Sequence, residues 1–144
     1  MKTFMYAVVG VTLLQGCTSY NSAMLETKDK AYAQFVTDEN LAAKEKINGF
    51  KFNGWKPLSD NYLIMTAVHN KDYLIETKGR CVDLNKAHGI KLNRTSGLAV
   101  QPLADSISPV GVTSETCMIK SIYAISSIQS DQLSLIAKTV ENQS

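Results

Sequence analysis

The fold of this chain is decided by Tyr62-Leu63-Ile64-Met65-Thr66-Ala67-Val68, then His69-Asn70-Lys71-Asp72, then Tyr73-Leu74-Ile75-Glu76-Thr77. The two outer runs are rich in aliphatic, β-branched and aromatic residues, as β-strands are. The four polar residues between them have the length of a hairpin connection. We therefore predict an antiparallel hairpin here and build the rest of the sheet around it.

Other segments carry weaker strand patterns. Apolar and polar residues alternate in residues 50–55, a short strand is predicted at residues 90–92, and Pro109 favours an edge strand in residues 105–110. Residues 117–125 form the last predicted strand, and strict alternation places five of its residues on one face: Cys117, Ile119, Ser121, Tyr123 and Ile125.

Helices are predicted at both ends of this sheet. Helix-forming residues accumulate in residues 31–47, with Asp38 as a cap for a helix over residues 39–46. Behind Asp131, the spacing i, i+3, i+4 and i+7 predicts a final amphipathic helix through Leu133, Ile136, Ala137 and Val140. The predicted fold is mainly β (α+β), a small antiparallel β-barrel or roll of five to six strands with short N- and C-terminal helices.

The overall composition limits the class of protein. The chain has 144 residues, a formal net charge of +2 and 44% hydrophobic residues. This size suits one small globular domain and leaves no room for a second. The nearly balanced charge excludes a nucleic-acid binder of the histone type, and the hydrophobic content argues against a disordered chain.

The first residues have the pattern of a secretory signal peptide. Lys2 provides a positive start, and residues 4–14 form an apolar run about half as long as a membrane-spanning helix requires. A retained transmembrane helix is the weaker alternative.

Leu14-Gln15-Gly16-Cys17, at the end of this run, resembles the lipobox of bacterial lipoproteins. The resemblance implies that residues 1–16 are a lipoprotein signal peptide, and that Cys17 becomes the lipidated first residue, carrying acyl chains such as palmitate. Thr18 stands where an Asp retains Gram-negative lipoproteins in the inner membrane, so the expected location is the periplasmic face of the outer membrane. The alternative is a soluble periplasmic protein cleaved after Gly16.

Residues 17–30 are small and polar, and we expect them to be the lipidated Cys and a flexible tether. Residues 31–144 then form a single small β-rich domain with its core in residues 47–125.

The cysteines agree with this location. Once lipidation accounts for Cys17, Cys81 and Cys117 remain as a pair, which we expect to be joined in the oxidising periplasm. The competing hypothesis is a nucleophilic or metal-binding thiol, which would need a neighbouring base or a CxxC or CxH spacing, and the sequence has neither.

A family likeness is carried by five segments: Gly54-Trp55-Lys56-Pro57-Leu58, Tyr73-Leu74-Ile75, Cys81-Val82-Asp83-Leu84, Ile90-Lys91-Leu92 and Cys117-Met118-Ile119-Lys120-Ser121-Ile122. Together they resemble a family of small Gram-negative lipoproteins known only as a domain of unknown function. The resemblance covers roughly residues 47–125 and implies the fold, the anchor and the disulfide, but supplies no catalytic residue. Ala104-Asp105 departs from the Gly-Asp pair of many relatives.

Motifs of catalysis are missing from the sequence, which contains no HExxH, GxSxG, P-loop or GxGxxG. His69 and His88 fall in separate predicted loops, and the carboxylates are scattered: Asp60, Asp72, Glu76, Asp83, Asp105 and Glu115. We therefore predict a protein that is not an enzyme and has no metal or cofactor. A hydrolase is the alternative, and it would need two acids about 5–9 Å apart in one cleft.

One charge cluster stands out. Around the single acid Asp83, seventeen residues contain five bases: Lys78, Arg80, Lys86, Lys91 and Arg94. The cluster is a candidate surface for anionic partners such as lipid headgroups, lipopolysaccharide or peptidoglycan, and the alternative is an ordinary solvated face. Aromatic residues are not interleaved with it, so nucleic acid is not expected.

The sequence therefore predicts an outer-membrane lipoprotein that acts as a non-enzymatic periplasmic binding or accessory module. Its partners are expected to be the membrane, through the lipid anchor, and an envelope protein, lipopolysaccharide or peptidoglycan. The alternative is an inhibitor or regulator of an envelope-directed hydrolase, which would insert a protruding loop at residues 93–101.

Overall fold

The computed structural model describes residues 20–112 and 115–143, with side chains from residue 23 onward. Its elements are α1 (Tyr20–Asp38), β1 (Phe52–Pro57), β2 (Tyr62–Ala67), β3 (Lys71–Thr77), a 3-10 turn (Leu84–Lys86), β4 (Gly89–Asn93), β5 (Ser106–Val110), β6 (Cys117–Ile125) and α2 (Ser127–Asn142). The strand order is β1-β2-β3-β6-β5-β4, every pair is antiparallel, and the sheet curls into a nearly closed barrel. The predicted fold class is confirmed.

The predicted hairpin is formed by β2 and β3. Their register runs from Tyr62 opposite Glu76 to Ala67 opposite Lys71. The turn contains two consecutive residues in the left-handed region, His69 with φ 64° and Asn70 with φ 55°. Left-handed turn residues match the twist of the two strands. Lys71 begins β3, so the connection ends earlier than its polar sequence predicts.

Strand β6 contains a β-bulge that the sequence pattern does not reveal. Glu76 lies opposite Ser121, whereas the next residue, Thr77, lies opposite Ile119, so Lys120 has no partner in the ladder. One extra residue reverses the side-chain alternation beyond it. The predicted face of β6 is therefore wrong beyond Lys120: Ile119 and Ile122 both join the barrel interior, and Tyr123 does not.

Two hydrophobic cores lie on opposite faces of the sheet. The barrel interior includes Phe50, Met65 and Ile107, and the predicted disulfide between Cys81 and Cys117 is formed and lies in it. The outer core lies between the sheet and the two helices, and its fully buried side chains are Tyr32, Ile64, Leu74 and Leu133. Strand β2 contributes to both cores, which explains why its sequence is an almost continuous apolar run.

The expected flexible tether is wrong over most of its length, because helix α1 begins at Tyr20. Residues 20–30 are helical rather than a flexible coil. Lys28, Tyr32 and Phe35 follow one another at helical spacing and are all buried. Lys28 is ion-paired with Glu141 of α2, with Nζ 2.7 Å from Oε1. The polar composition concealed this segment because its apolar contacts come from only one face of the helix.

The helix predicted over residues 39–46 is not formed. Asp38 is the last residue of α1 rather than a cap, and residues 39–46 are not helical. Asn40 adopts φ 50°, and Leu41 N donates to Val36 O at 3.0 Å, which is the hydrogen bond of a Schellman ending. Helix-forming residues follow, but tertiary hydrogen bonds determine their conformation.

The segment of residues 41–50, which we call the strap, joins β6 to the loop before β5 by backbone hydrogen bonds. Lys44 N donates to Ile122 O at 2.7 Å, so the strap covers the edge of β6 that β5 has left. Farther along, Ile47 forms an antiparallel bridge with Val100. The strap therefore supplies backbone hydrogen bonds where the ladder between β5 and β6 is interrupted.

The prediction that residues 105–110 form an edge strand is wrong. It lies between β4 and β6, and Pro109 is opposite Ile90. Strands β5 and β6 pair only at Ser106 and Ile107, which lie opposite Met118 and Cys117. Pro109 lies past this ladder, where a backbone N–H is not required for pairing.

Helix α2 confirms the predicted amphipathic helix. Leu133, Ile136 and Ala137 pack into the outer core. Its N-terminus is a capping box in which the Ser126 side chain accepts from Gln129 N and the Gln129 side chain accepts from Ser126 N. The helix begins before Asp131 because this box fixes its start.

Candidate binding sites

A broad concavity, which we call the lysine groove, lies where the strap, β3 and β6 meet. One lobe of about 470 Å³ extends from the β2–β3 turn to the start of α2, and a second of about 310 Å³ lies against the strap. Tyr73 and Ala124 line both lobes, so the two lobes are adjacent. Each lobe has a volume within the range of known small-molecule sites.

The groove is positively charged. Lys44 and Lys46 of the strap line one lobe, and Lys71 at the start of β3 lines the other. All three are exposed, and none has an ion pair or side-chain hydrogen bond within the described residues. Asp72 is the acid at the groove, and its Oδ1 accepts from the Thr66 hydroxyl at 2.6 Å. The lining therefore has a formal charge of +2, three lysines less one carboxylate.

Tyr73 is an aromatic residue on the wall of the groove. Its ring centroid is 5.8 Å from that of Phe50 in an edge-to-face arrangement, and Phe50 is fully buried. The contact fixes the ring at the end of the barrel. A rigid, partly exposed aromatic ring beside unpaired lysines suits a ligand that has both an apolar ring face and negative charge.

The lysine groove is not apparent from the sequence, because Lys71 is 25 residues beyond Lys46 along the chain. Lys44 and Lys46 fall in a segment predicted to be helical, and Lys71 falls in the predicted turn. A search for charge runs finds only local clusters. The three lysines come together only in the folded protein, where the bridge between Ala43 and Tyr123 holds the strap beside β6.

The predicted basic cluster is largely occupied by internal contacts. Arg80 Nε donates to Asp60 Oδ2 at 3.1 Å, and Lys86 Nζ is 2.9 Å from Asp83 Oδ1. Arg94 donates to the carbonyl of Phe50 at 2.8 Å. Lys78 and Lys91 are exposed and have no recorded side-chain partner among the described residues. Three of the five bases therefore have roles in the structure.

The loop suggested for an inhibitor is tied to the barrel. Asp105 is buried, and its Oδ1 accepts from both Thr95 N and Thr95 Oγ1 at 2.8 Å. Its Oδ2 accepts from Gln101 N, also at 2.8 Å. Val100 is fully buried, and Leu98 remains 52% exposed. The loop at residues 93–101 therefore protrudes only near Leu98, and inhibition of a hydrolase stays a prediction.

The cysteines and histidines in the described part of the chain do not form a candidate metal centre. Within the described residues, the group that has metal-ligand spacing is Cys81, Glu115 and Cys117, and the disulfide uses both sulfur atoms. Glu115 accepts from Val82 N at 3.0 Å. His69 lies in the β2–β3 turn and His88 before β4, and neither belongs to that group.

A second, smaller concavity lies beside Met24 and Leu25, near the N-terminal end of α1. Its charged lining residues are Asp60, Arg80, Asp83 and Lys86. We call it the Asp60 pocket. Nearby, Ser59 hydrogen-bonds to Asp29 of α1. Burial raises the pKa of Asp29 above its usual value, the hydrogen bond from Ser59 opposes this, and the negative charge of Asp60 adds to it.

The predicted lipobox residues Leu14, Gln15, Gly16 and Cys17 lie outside the described residues. Among the helices that are described, none combines the length and the apolar character needed to cross a membrane.

Comparison with known proteins places the chain in a family. The model of a family described as a family of unknown function matches residues 1–141. This confirms the expected resemblance to an uncharacterised family. No curated protein and no solved structure matches the chain.

Proposed function

The chain belongs to the DUF6491 family, whose function is unknown, and we propose that it is a lipid-anchored binding module of the Gram-negative envelope. In this proposal, Cys17 holds the protein at the periplasmic face of the outer membrane. The lysine groove binds an anionic saccharide of the envelope, and the protein does not catalyse a reaction.

The lipid anchor is supported by the sequence Leu14-Gln15-Gly16-Cys17 at the end of an apolar run. The disulfide is consistent with an oxidising compartment. Three acyl chains on Cys17 would make dissociation from the bilayer negligible.

The observation that carries the binding function is the convergence of Lys44, Lys46 and Lys71 on one groove with no ion-pair partner among the described residues. Unpaired cations in a concave site attract anions and keep enough freedom to bind them. Tyr73 offers a ring against which a sugar can pack. An anionic saccharide fits both features.

The position of the groove also supports an envelope polymer as the ligand. Gln129 Nε2 donates to Glu39 Oε2 at 2.9 Å, which places the first turn of α2 at the C-terminal end of α1. Ser126 and Ser127, beside this turn, line the groove. Helix α1 has 19 residues and is about 28 Å long. The groove is therefore separated by the length of α1 from the end that follows the proposed anchor.

The anchor is tested by growing cells with labelled palmitate and measuring the intact mass of the membrane-extracted protein. We expect loss of residues 1–16, added acyl mass and incorporated label, all of them abolished by Cys17→Ser. An unmodified Cys17 in the membrane-extracted protein would contradict the anchor and leave the groove proposal to its own test.

The groove is tested by co-sedimentation with purified peptidoglycan and, in a separate arm, by binding to lipopolysaccharide. The triple variant Lys44→Gln, Lys46→Gln, Lys71→Gln should weaken binding about tenfold, since each exposed charge contact contributes about 0.2–1 kcal/mol. Added salt should have the same effect.

The matched control is the triple variant Lys78→Gln, Lys91→Gln, Lys138→Gln, which removes the same charge from exposed lysines outside the groove. It should bind almost as well as the unmodified protein. Equal losses in the two triple variants would show that net charge, rather than the groove, determines binding, and would contradict the proposal.

A further inference from the structure

Asp60 has an unsatisfied oxygen in a buried position. Its side chain is only 5% exposed, and its Oδ2 accepts from Arg80 Nε at 3.1 Å. Its Oδ1 is buried and has no hydrogen-bond partner within the described part of the chain. A buried carboxylate oxygen without a donor is costly, because it has lost water and gained nothing in exchange. Such a group points to a missing water, ion or ligand.

The Asp60 pocket lies beside this carboxylate and is lined by both Asp60 and Arg80. Its volume is about 150 Å³, well above the roughly 10–15 Å³ that one water molecule needs on this measure. Two acids and two bases line it, so its formal charge is zero, and Met24 and Leu25 of α1 add an apolar wall. A lining of this kind is complementary to a small molecule that carries both charges and a short hydrocarbon segment.

We propose that the Asp60 pocket binds a compact zwitterion through its primary ammonium group. The ammonium donates to Asp60 Oδ1, the anionic end of the ligand meets Arg80 and Lys86, and the methylene groups lie against Met24 and Leu25. Arg80 is half exposed, so its guanidinium can turn outward to admit the ligand. This site is separate from the lysine groove. It recognises the positively charged end of its ligand, whereas the lysine groove recognises negative charge.

The neighbouring charges favour an ammonium zwitterion over a bare metal ion. Arg80 is within hydrogen-bonding distance of the same carboxylate, and its positive charge would repel a divalent cation. An ammonium group is repelled less because it is a singly charged donor and brings its own counter-charge for Arg80. Within the described residues, Asp60 belongs to no group of three potential metal ligands.

Two sources supply this chemistry: a free amino acid, and the aminoethyl phosphate headgroup of a phospholipid. Met24 is seven residues from Cys17 and hence at most about 25 Å from it. The pocket therefore lies within reach of the membrane surface, which favours the headgroup. This choice of source, but not the zwitterion site itself, rests on the proposed anchor.

The site is tested by calorimetric titration of the membrane-extracted protein in detergent with O-phosphoethanolamine. Phosphocholine is the matched probe, because its trimethylammonium group has no N–H to donate. We expect phosphoethanolamine to bind at least about tenfold more tightly than phosphocholine, since one charge-assisted hydrogen bond is lost. Inorganic phosphate should bind no better than phosphocholine.

Asp60→Asn should abolish this preference, whereas Asp131→Asn, which makes the same change on the exposed surface of α2, should preserve it. Asn85 is exposed and lines the pocket, so Asn85→Trp should block binding without altering Asp60. This second variant decides the matter if Asp60→Asn fails to fold.

Glycine and vesicles containing phosphatidylethanolamine distinguish the two sources. Binding of glycine alone would support the zwitterion site and assign it to a free amino acid. If neither zwitterion binds, or if Asn85→Trp and the unmodified protein bind equally well, the proposal is overturned and a buried water is the partner of Asp60. None of these results depends on the lysine groove.

Discussion

Ile119 and Ile122 both point into the barrel interior although they are three positions apart along β6, with two residues between them. In a regular strand, positions of opposite parity lie on opposite faces. The bulge at Lys120 removes this constraint. Strand β6 thereby packs its first half into the barrel and presents Tyr123 and Ile125 to the helices, so that one strand joins the two cores.

The bulge makes Ile122 a core residue, and its truncation tests this. Ile122→Ala should lower the free energy of unfolding by about 2–5 kcal/mol, because a fully buried aliphatic side chain leaves a cavity. The control is Met118→Ala in the same strand, where the side chain is 40% exposed and the expected change is about 0.5 kcal/mol. Urea denaturation measures both. Similar losses in the two variants would contradict the bulged register.

The disulfide should contribute strongly to stability. Cys81 and Cys117 are 36 residues apart, and closing a loop of that length restricts the unfolded chain by about 4 kcal/mol. The double variant Cys81→Ala, Cys117→Ala should lose about that much in urea denaturation. A reducing agent should destabilise the unmodified protein and leave the double variant unchanged. Equal sensitivity of both proteins to reductant would rule out this role.

The protonation of Asp29 should couple the docking of α1 to pH. Burial raises the pKa of Asp29 in the folded state, so its contribution to stability is fully present below the unfolded value of about 3.8 and is lost as pH rises through the raised pKa. Asp29→Asn, which stays neutral, should therefore stabilise the fold relative to the unmodified protein at pH 7. The difference should shrink when denaturation is repeated in acid. A variant that is less stable at pH 7 would show that the charged form is the favoured one.

Much of the barrel was predictable because its elements are determined locally. The β2–β3 hairpin, the bounds of β6 and the apolar stripe of α2 follow from side-chain periodicity. The disulfide followed from counting the cysteines that remain once Cys17 is set aside as the expected lipidation site. In each of these cases the local pattern and the tertiary contacts favour the same conformation.

The remainder depends on distant contacts. Residues 39–46 contain helix formers, but the hydrogen bond from Lys44 N to Ile122 O belongs to an extended strap. The polar residues 20–30 belong to a helix whose next turns bury Tyr32 and Phe35, and whose Lys28 is ion-paired with Glu141 near the other end of the chain. Neither the lysine groove nor the unsatisfied oxygen of Asp60 was predictable, since each arises from residues that only the folded barrel brings together.

Helix α1 begins only three residues after Cys17 and packs firmly on the barrel. If Cys17 is the anchor, there is little slack between bilayer and domain, and the groove diffuses in two dimensions within a thin layer parallel to the membrane. Its occupancy would then follow the number of ligand groups per unit area in that layer rather than their bulk concentration. Inserting flexible residues before Tyr20 would thicken the layer and dilute the encounter, without altering any contact in the site.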